Sequence, residues 1–194
     1  ALTDRYERRG NVDDLVEAEA VYRHAVDLAR AKGAAIAETT SGLGSALLLR
    51  YHRTGDLDAV RDAITVCRAG LADTEGGDDS GRAFCMYHLS SALTAAYRAG
   101  FDGVVPAEAQ SWAQRALDTD PPYGERRALF LEQLGAAFAL DDGQNGEPNR
   151  LEQAENAFAA ALALLPAGHT RRAAIWVSWP RWRHGSVTPV RCTD

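Results

Sequence analysis

Lysine and methionine are almost missing from this chain: Lys32 and Met86 are the only ones, so 20 of the 21 basic residues are arginine. Aromatic residues make up only 8% and β-branched residues are also sparse, which argues against a sheet protein. No stretch of about 20 apolar residues occurs, so no membrane-spanning helix is expected. Basic residues form no stripe before the last 25 positions, and the net charge is −6. Binding to nucleic acid phosphates needs such a stripe, so nucleic acid is not an expected partner. Cys67, Cys85 and Cys192 form an odd set, and no charged-then-apolar leader opens the sequence. Both features suit a reducing cytoplasm.

What the chain has in quantity is Ala, Leu, Arg and Glu. These residues lose little side-chain freedom in a helix, so the composition favours helices. The helices come in a repeat. Arg5-Tyr6-Glu7-Arg8-Arg9-Gly10 returns as Arg50-Tyr51-His52-Arg53-Thr54-Gly55, 45 positions on. Gly42-Leu43-Gly44-Ser45-Ala46-Leu47 returns as His88-Leu89-Ser90-Ser91-Ala92-Leu93 and again as Gln133-Leu134-Gly135-Ala136-Ala137-Phe138, at offsets of 46 and 45. A second pattern steps from Ala18, Tyr22 and Val26 to Ala63, Cys67 and Leu71, then to Ala109, Ala113 and Leu117, and last to Ala154, Phe158 and Leu162. Arg82-Ala83, Arg127-Ala128 and Arg172-Ala173 keep the same step of 45.

Each segment has helical period. Leu57, Val60, Ile64, Cys67 and Leu71 fall on one stripe, as do Leu15, Ala18, Tyr22, Ala25 and Ala29. Asn11 and Asp56 suit N-caps, and Pro106 suits a first helical turn. Pro121-Pro122 and Pro166-Ala167-Gly168 cannot continue a helix. The reading is a helix tail at 1–9 and helices near 12–31, 35–53, 56–73, 80–99, 106–118, 123–140, 149–165 and 170–179. They alternate between an A type, carrying Leu-Gly/Ser-x-Ala-Leu, and a B type, carrying Ala-x3-(aromatic or small)-x3-Leu.

The order Leu-Gly…Ala…Phe…Ala…Pro resembles the tetratricopeptide repeat, although a period of 45 exceeds the 34 residues usual in that family. The added Arg-Tyr-x-Arg-x-Gly-Asp-Leu between A and B helices, as at Arg50 to Leu57, is similar to the long repeats of actinobacterial proteins that carry a caspase-like CHAT domain. The resemblance implies an all-α, right-handed α-solenoid of antiparallel helix pairs over residues 1–175, with a partial first repeat and about four B-type helices. A protease domain, if the likeness extends so far, would lie elsewhere in a parent protein. Residue 1 aligns with Ala46, in the middle of an A helix, so the chain is expected to be a piece of a longer array. Residues 176–194 depart from the repeat and form an atypical Trp/Arg-rich tail. In it Trp176, Trp179 or Trp182 is expected to cover the last B helix (149–165), within this chain or in a neighbouring copy, where an array otherwise leaves apolar surface bare; the alternative is a free tail.

Each residue set that could carry chemistry also has a plainer structural role. Cys85 and His88 are three apart on one helix, as paired metal ligands are, but a structural zinc site takes four ligands and Cys67 lies on an apolar stripe. A packing role is preferred, and no metal or cofactor is expected. Asp141, Asn145, Gly146 and Glu152 match part of a calcium loop, yet Gly143 offers no side-chain oxygen and the repeat already makes this stretch a turn. His24, His52, His88, His169 and His184 sit in no nucleophile–base motif, so catalysis is not expected. Trp176, Trp179, Arg181, Trp182 and Arg183 could stack on bases or enter a membrane interface; a capping segment is the plainer reading.

The remaining expectation is a groove. In tetratricopeptide arrays the A helices line the concave face and hold a peptide or partner helix. With Leu43, Leu89 and Leu134 equivalent, the groove positions are Glu38, Ser41, Ser45, Phe84, Tyr87, Ser91, Thr94, Leu129 and Glu132. The set offers hydroxyls, two aromatic anchors and carboxylates. It lacks the Lys and Asn ladder of the chaperone-tail-binding members, so capture of a C-terminal carboxylate in that way is not expected. The expected partner is thus a protein or peptide. The alternative is a structural module that self-associates through its array ends.

Overall fold

The local rules that start and stop helices account for the elements one by one. In the structure, a computed structural model describing residues 12–72, 79–119, 124–140 and 149–178, the first helix is α1 (Val12–Ala31). Asp13 and Asp14 stand in its first turn and Arg30 in its last, each complementing the helix dipole. Gly33 ends it at φ 62°, with Ala34 N–H bonding Ala29 C=O at 2.9 Å and Gly33 N–H bonding Arg30 C=O at 3.0 Å. That paired closure needs a left-handed residue, which glycine adopts without strain. Helix α2 (Ala37–Thr54) precedes α3 (Leu57–Ala72), whose cap is Asp56: its Oδ1 accepts from Asp58 N–H at 3.0 Å. Helix α4 (Asp79–Arg98) stops at Gly100 by the same closure as α1. Pro106 is the first residue of α5 (Pro106–Thr119), where its missing N–H costs nothing. The remaining helices are α6 (Gly124–Phe138), α7 (Arg150–Ala163) and α8 (Arg171–Ser178). The described residues contain no strand, and the boundaries lie within about two residues of those read from the sequence.

Each helix packs on the next in chain order. In addition α2 touches α4 and α4 touches α6, so the A-type helices form a contiguous layer. Small residues make this possible. A Cβ at Gly44 would stand 2.7 Å from Cys67 Sγ, and one at Gly135 would stand 2.9 Å from the Phe158 ring. Each of these pairs is 23 residues apart and occupies the same place in its repeat. Between them lies Ser90, whose hydroxyl bonds Ala109 C=O at 2.8 Å. A small residue of the A helix thus stands at each of these places, glycine against Cys67 and Phe158 and serine near Ala109.

The apolar stripe of α3 differs in detail from the sequence reading. Val60 and Cys67 are fully buried, but Leu57 is 39% exposed and the buried arc runs through Ala59, Ala63 and Gly70 instead. Helix α3 is covered on two sides, by α2 and by α4, and close packing on two sides selects small residues. Phe158 and Leu134 are buried as expected, whereas Tyr22 is only half-buried, its ring lying over Gly42.

At the C-terminal end Trp176 is not the side chain that covers α7 within this chain. Trp176 is 45% exposed, and its neighbour Ile175 is the side chain that packs with Phe158, Leu162 and Leu165. Helix α8 turns Ile175 inward, which carries Trp176, about 100° further round, toward solvent. Trp179 and Trp182 lie outside the described residues. Arg172, from the recurring Arg-Ala pair, donates to the C=O groups of Leu162 and Leu165 at 2.7 and 3.0 Å and so satisfies the end of α7.

Candidate functional site

The three adjacent A helices open a cleft of about 350 Å³ between them. Tyr51 and His52 come from the C-terminal end of α2. From α4 come Tyr87, Ser91, Thr94, Ala95 and Arg98. Helix α6 adds Leu129, Glu132, Gln133 and Ala136. The lining falls on α4 at 87, 91, 94, 95 and 98 because these positions share one face of a helix.

Gln133 organises the floor. Its Oε1 accepts from the Ser91 hydroxyl at 2.9 Å, and its Nε2 donates to Ser90 at 3.1 Å and Thr94 at 3.0 Å. These three bonds cross from α6 to α4. Burying an amide without partners costs a few kcal/mol, so the network fixes how the two helices meet. Above it, Tyr87 stacks on Phe130 with ring centroids 5.5 Å apart. Burial pushes the Tyr87 phenol up to about 12, so it stays protonated and able to donate.

Charge is confined to two places. Glu132 Oε2 accepts from the Arg171 guanidinium of α8 at 3.1 Å, and burial raises its carboxyl above the ordinary value against the pull of that arginine. His52 and Arg98 stand 46 residues apart at equivalent ends of successive A helices. Burial first, and the charge of Arg98 second, lower the His52 imidazole below its ordinary value. The cleft thus has a neutral hydrogen-bonding floor, two tyrosine walls and opposite charges among its lining. Such a surface can hold a chain segment through hydrogen bonds and one apolar or aromatic anchor.

Of the positions singled out from the sequence, Tyr87, Ser91, Thr94, Leu129 and Glu132 line the cleft. Glu38 is exposed near the start of α2 and Ser45 is half-buried, and neither lines it. Ser41 was expected on an exposed face but is 7% exposed, and Thr94 is 5% exposed, reaching the cleft only through its hydroxyl edge. Both are covered by neighbouring helices, since α2 packs against α1, α3 and α4, and α4 against α2, α3, α5 and α6. Phe84 belongs to the core, edge-on to Phe130 at 5.3 Å, rather than to the cleft. Sequence reasoning did not find Tyr51, His52, Ala95, Arg98, Gln133 or Ala136. The first two and Arg98 carry a signal in the repeat, since Tyr51-His52 and Tyr97-Arg98 are 46 apart at helix ends.

Other candidates fall elsewhere. Cys67 and Cys85 are buried, and His88 is half-buried between Phe84 and Tyr87. No group of three or more acidic, histidine or cysteine side chains meets among the described residues in a way that could hold a metal. Positions 141–148 of the calcium-loop reading lie outside the described residues, and Glu152 is exposed on α7. No helix among the described residues is long and apolar enough to cross a membrane. On the face away from the cleft, the repeat places an ion pair between successive B helices: Arg23 with Asp62 and Arg68 with Glu108, both at 2.6 Å. No family model matches the chain, and no curated protein or solved structure matches it either.

Proposed function

We propose that the chain is an interaction scaffold of the tetratricopeptide type, a right-handed α-solenoid of antiparallel helix pairs that binds a peptide or partner segment in its concave cleft and catalyses nothing. It would serve as one arm of a larger regulatory or signalling protein in the cytoplasm. The observation that carries the reading is the convergence of α2, α4 and α6 on one cleft of about 350 Å³. The recurrence of one helix type at 45-residue steps brings those three helices side by side, and side-by-side A helices are what a peptide groove of this class consists of.

Peptides selected against the chain from a random display library provide the test, with affinity read by fluorescence anisotropy. Leu129→Arg places a charged stem in the half-buried wall of the cleft and should weaken binding at least tenfold with the helical spectrum unchanged. Val105→Arg, at a position 53% exposed and outside the lining, should leave affinity intact. Equal binding by both variants would remove the cleft from the proposal.

A second reading has its own support. Helix α1 exposes Val16, Val21 and Leu28, and α8 exposes Trp176 and Val177, the last at 86%. Apolar side chains at both ends of the described array favour self-association. Molar mass by light scattering at several concentrations separates the readings: growth with concentration favours assembly, and a constant monomer favours the scaffold alone.

A further inference from the structure

Two of the three cysteines meet at one contact. Cys67 on α3 and Cys85 on α4 are both fully buried, on helices that belong to successive hairpins. The Cys85 thiol donates to Cys67 C=O at 3.3 Å, and both side chains belong to one apolar cluster. Thr40 Oγ1 sits 3.7 Å from Cys85 Sγ.

The backbones are drawn close here by glycine. A Cβ at Gly44 would stand 2.7 Å from Cys67 Sγ, and one at Gly70 would stand 3.2 Å from Cys85 Sγ. Packing does not require sulfur at either place. The equivalents of Cys67 are Tyr22, Ala113 and Phe158, and 45 positions beyond Cys85 stands Phe130. Shape is met by many residues; among the described residues this is the contact at which two cysteines meet.

We propose that Cys67 and Cys85 form a redox clasp, a dithiol that a peroxide converts to a disulfide joining α3 to α4. One thiol attacks the peroxide oxygen, releases water and becomes a sulfenic acid. The second thiolate displaces hydroxide from that sulfur, which leaves as a second water. Two thiols and one hydrogen peroxide give one disulfide and two waters, the sulfurs losing two electrons and the peroxide gaining them.

The contact also separates the two thiols in character. The hydrogen bond from its partner lowers the Cys85 thiol, while that bond and burial hold the Cys67 thiol well above the ordinary range. Hydrogen peroxide is little larger than water and reaches a buried site through local opening. The clasp would tie down α4, the helix that supplies five lining residues of the cleft, so oxidation would stiffen the cleft's central wall.

The test uses the whole chain with Cys192→Ser. It is treated with hydrogen peroxide, unfolded, blocked with N-ethylmaleimide and digested with trypsin. The expected result is a loss of both alkylatable thiols, an intact mass lower by two hydrogens, and peptide 62–68 linked to peptide 83–98. Dithiothreitol should reverse all three, and amide exchange in α4 should slow in the oxidised form. A Cys67→Ser variant should lose the linked peptide and accumulate oxygen adducts on Cys85. Two thiols still alkylated after treatment, cross-links only between chains, or stable oxygen adducts on both sulfurs of the parent would each overturn the clasp.

Discussion

Phe158→Ala probes the rule that one residue's absence makes room for another's bulk. The Phe158 ring is fully buried, and it is bounded by Ala128, Ala154, Ala161, Leu162, Leu165 and Ile175. Opposite it, Gly135 leaves a gap that three ring carbons fill, each within 3.0 Å of where a Cβ would be. Truncating a buried phenylalanine costs about 3–5 kcal/mol, the upper part applying where the walls cannot collapse. Here two walls are helix backbones with alanine side chains, which have no atoms to swing inward, so about 4 kcal/mol is expected. Gly135→Ala tests the same contact from the other side, and overpacking should cost about 1–3 kcal/mol. The two changes should not add. In the double variant the new methyl occupies part of the space the ring left, giving a favourable coupling of about 1 kcal/mol or more. Urea unfolding followed by circular dichroism gives the totals. Hydrogen exchange locates them, because α7 packs on α6 and on α8, Ile175 of α8 joins Ala128 of α6 in the same cluster, and the loss should concentrate there. A loss under about 1 kcal/mol for Phe158→Ala, or strict additivity, would refute the pairing of Gly135 with Phe158 and with it the 23-residue register.

Other expectations follow from single groups. Burial pushes the His88 imidazole down to about 4 from an ordinary 6.5, and its Nδ1 has no hydrogen-bond partner. Above pH 6.5 it is neutral folded and unfolded; as pH falls from there toward 4 only the unfolded chain takes the proton, so stability is lost across that window. The loss should be at most ~3 kcal/mol, and smaller because the ring is partly exposed, and His88→Gln should flatten this part of the pH profile relative to the parent. Gln133→Leu removes three bonds that cross from α6 to α4 and takes that partner from the Ser91 and Thr94 hydroxyls, while Ser90 keeps Ala109 C=O, so it should cost about 1–3 kcal/mol by chemical denaturation; an effect near zero would show that the network does not hold the helices. The Arg23–Asp62 and Arg68–Glu108 pairs are partly or largely exposed, and double-mutant cycles should give about 0.2–1 kcal/mol each, fading in high salt. A larger, salt-independent coupling would mean that the pairs are shielded from water.

Helix positions were legible in the sequence because helix limits are local. Asp56 caps α3 through an atom two residues away, Gly33 closes α1 within six residues, and Pro106 opens α5 by its own ring. The 45-residue step likewise showed which helices are alike, and so which part of the A helices to inspect for a groove. Five of the eleven residues that line the cleft, Tyr87, Ser91, Thr94, Leu129 and Glu132, stand at the positions the repeat pointed to. Tertiary structure decided the rest. Whether a residue on a helix is covered depends on how many neighbours that helix has and at what angle they cross, and neither is written in its own period. Thus α3, flanked on two sides, buries alanines and exposes Leu57, and Ser41 disappears into the layer. Tyr51 and Arg98 reach the cleft only because α2, α4 and α6 lie next to each other. Ile175 and not Trp176 seals α7, a matter of about 100° of rotation on one helix that only the packed partner sets.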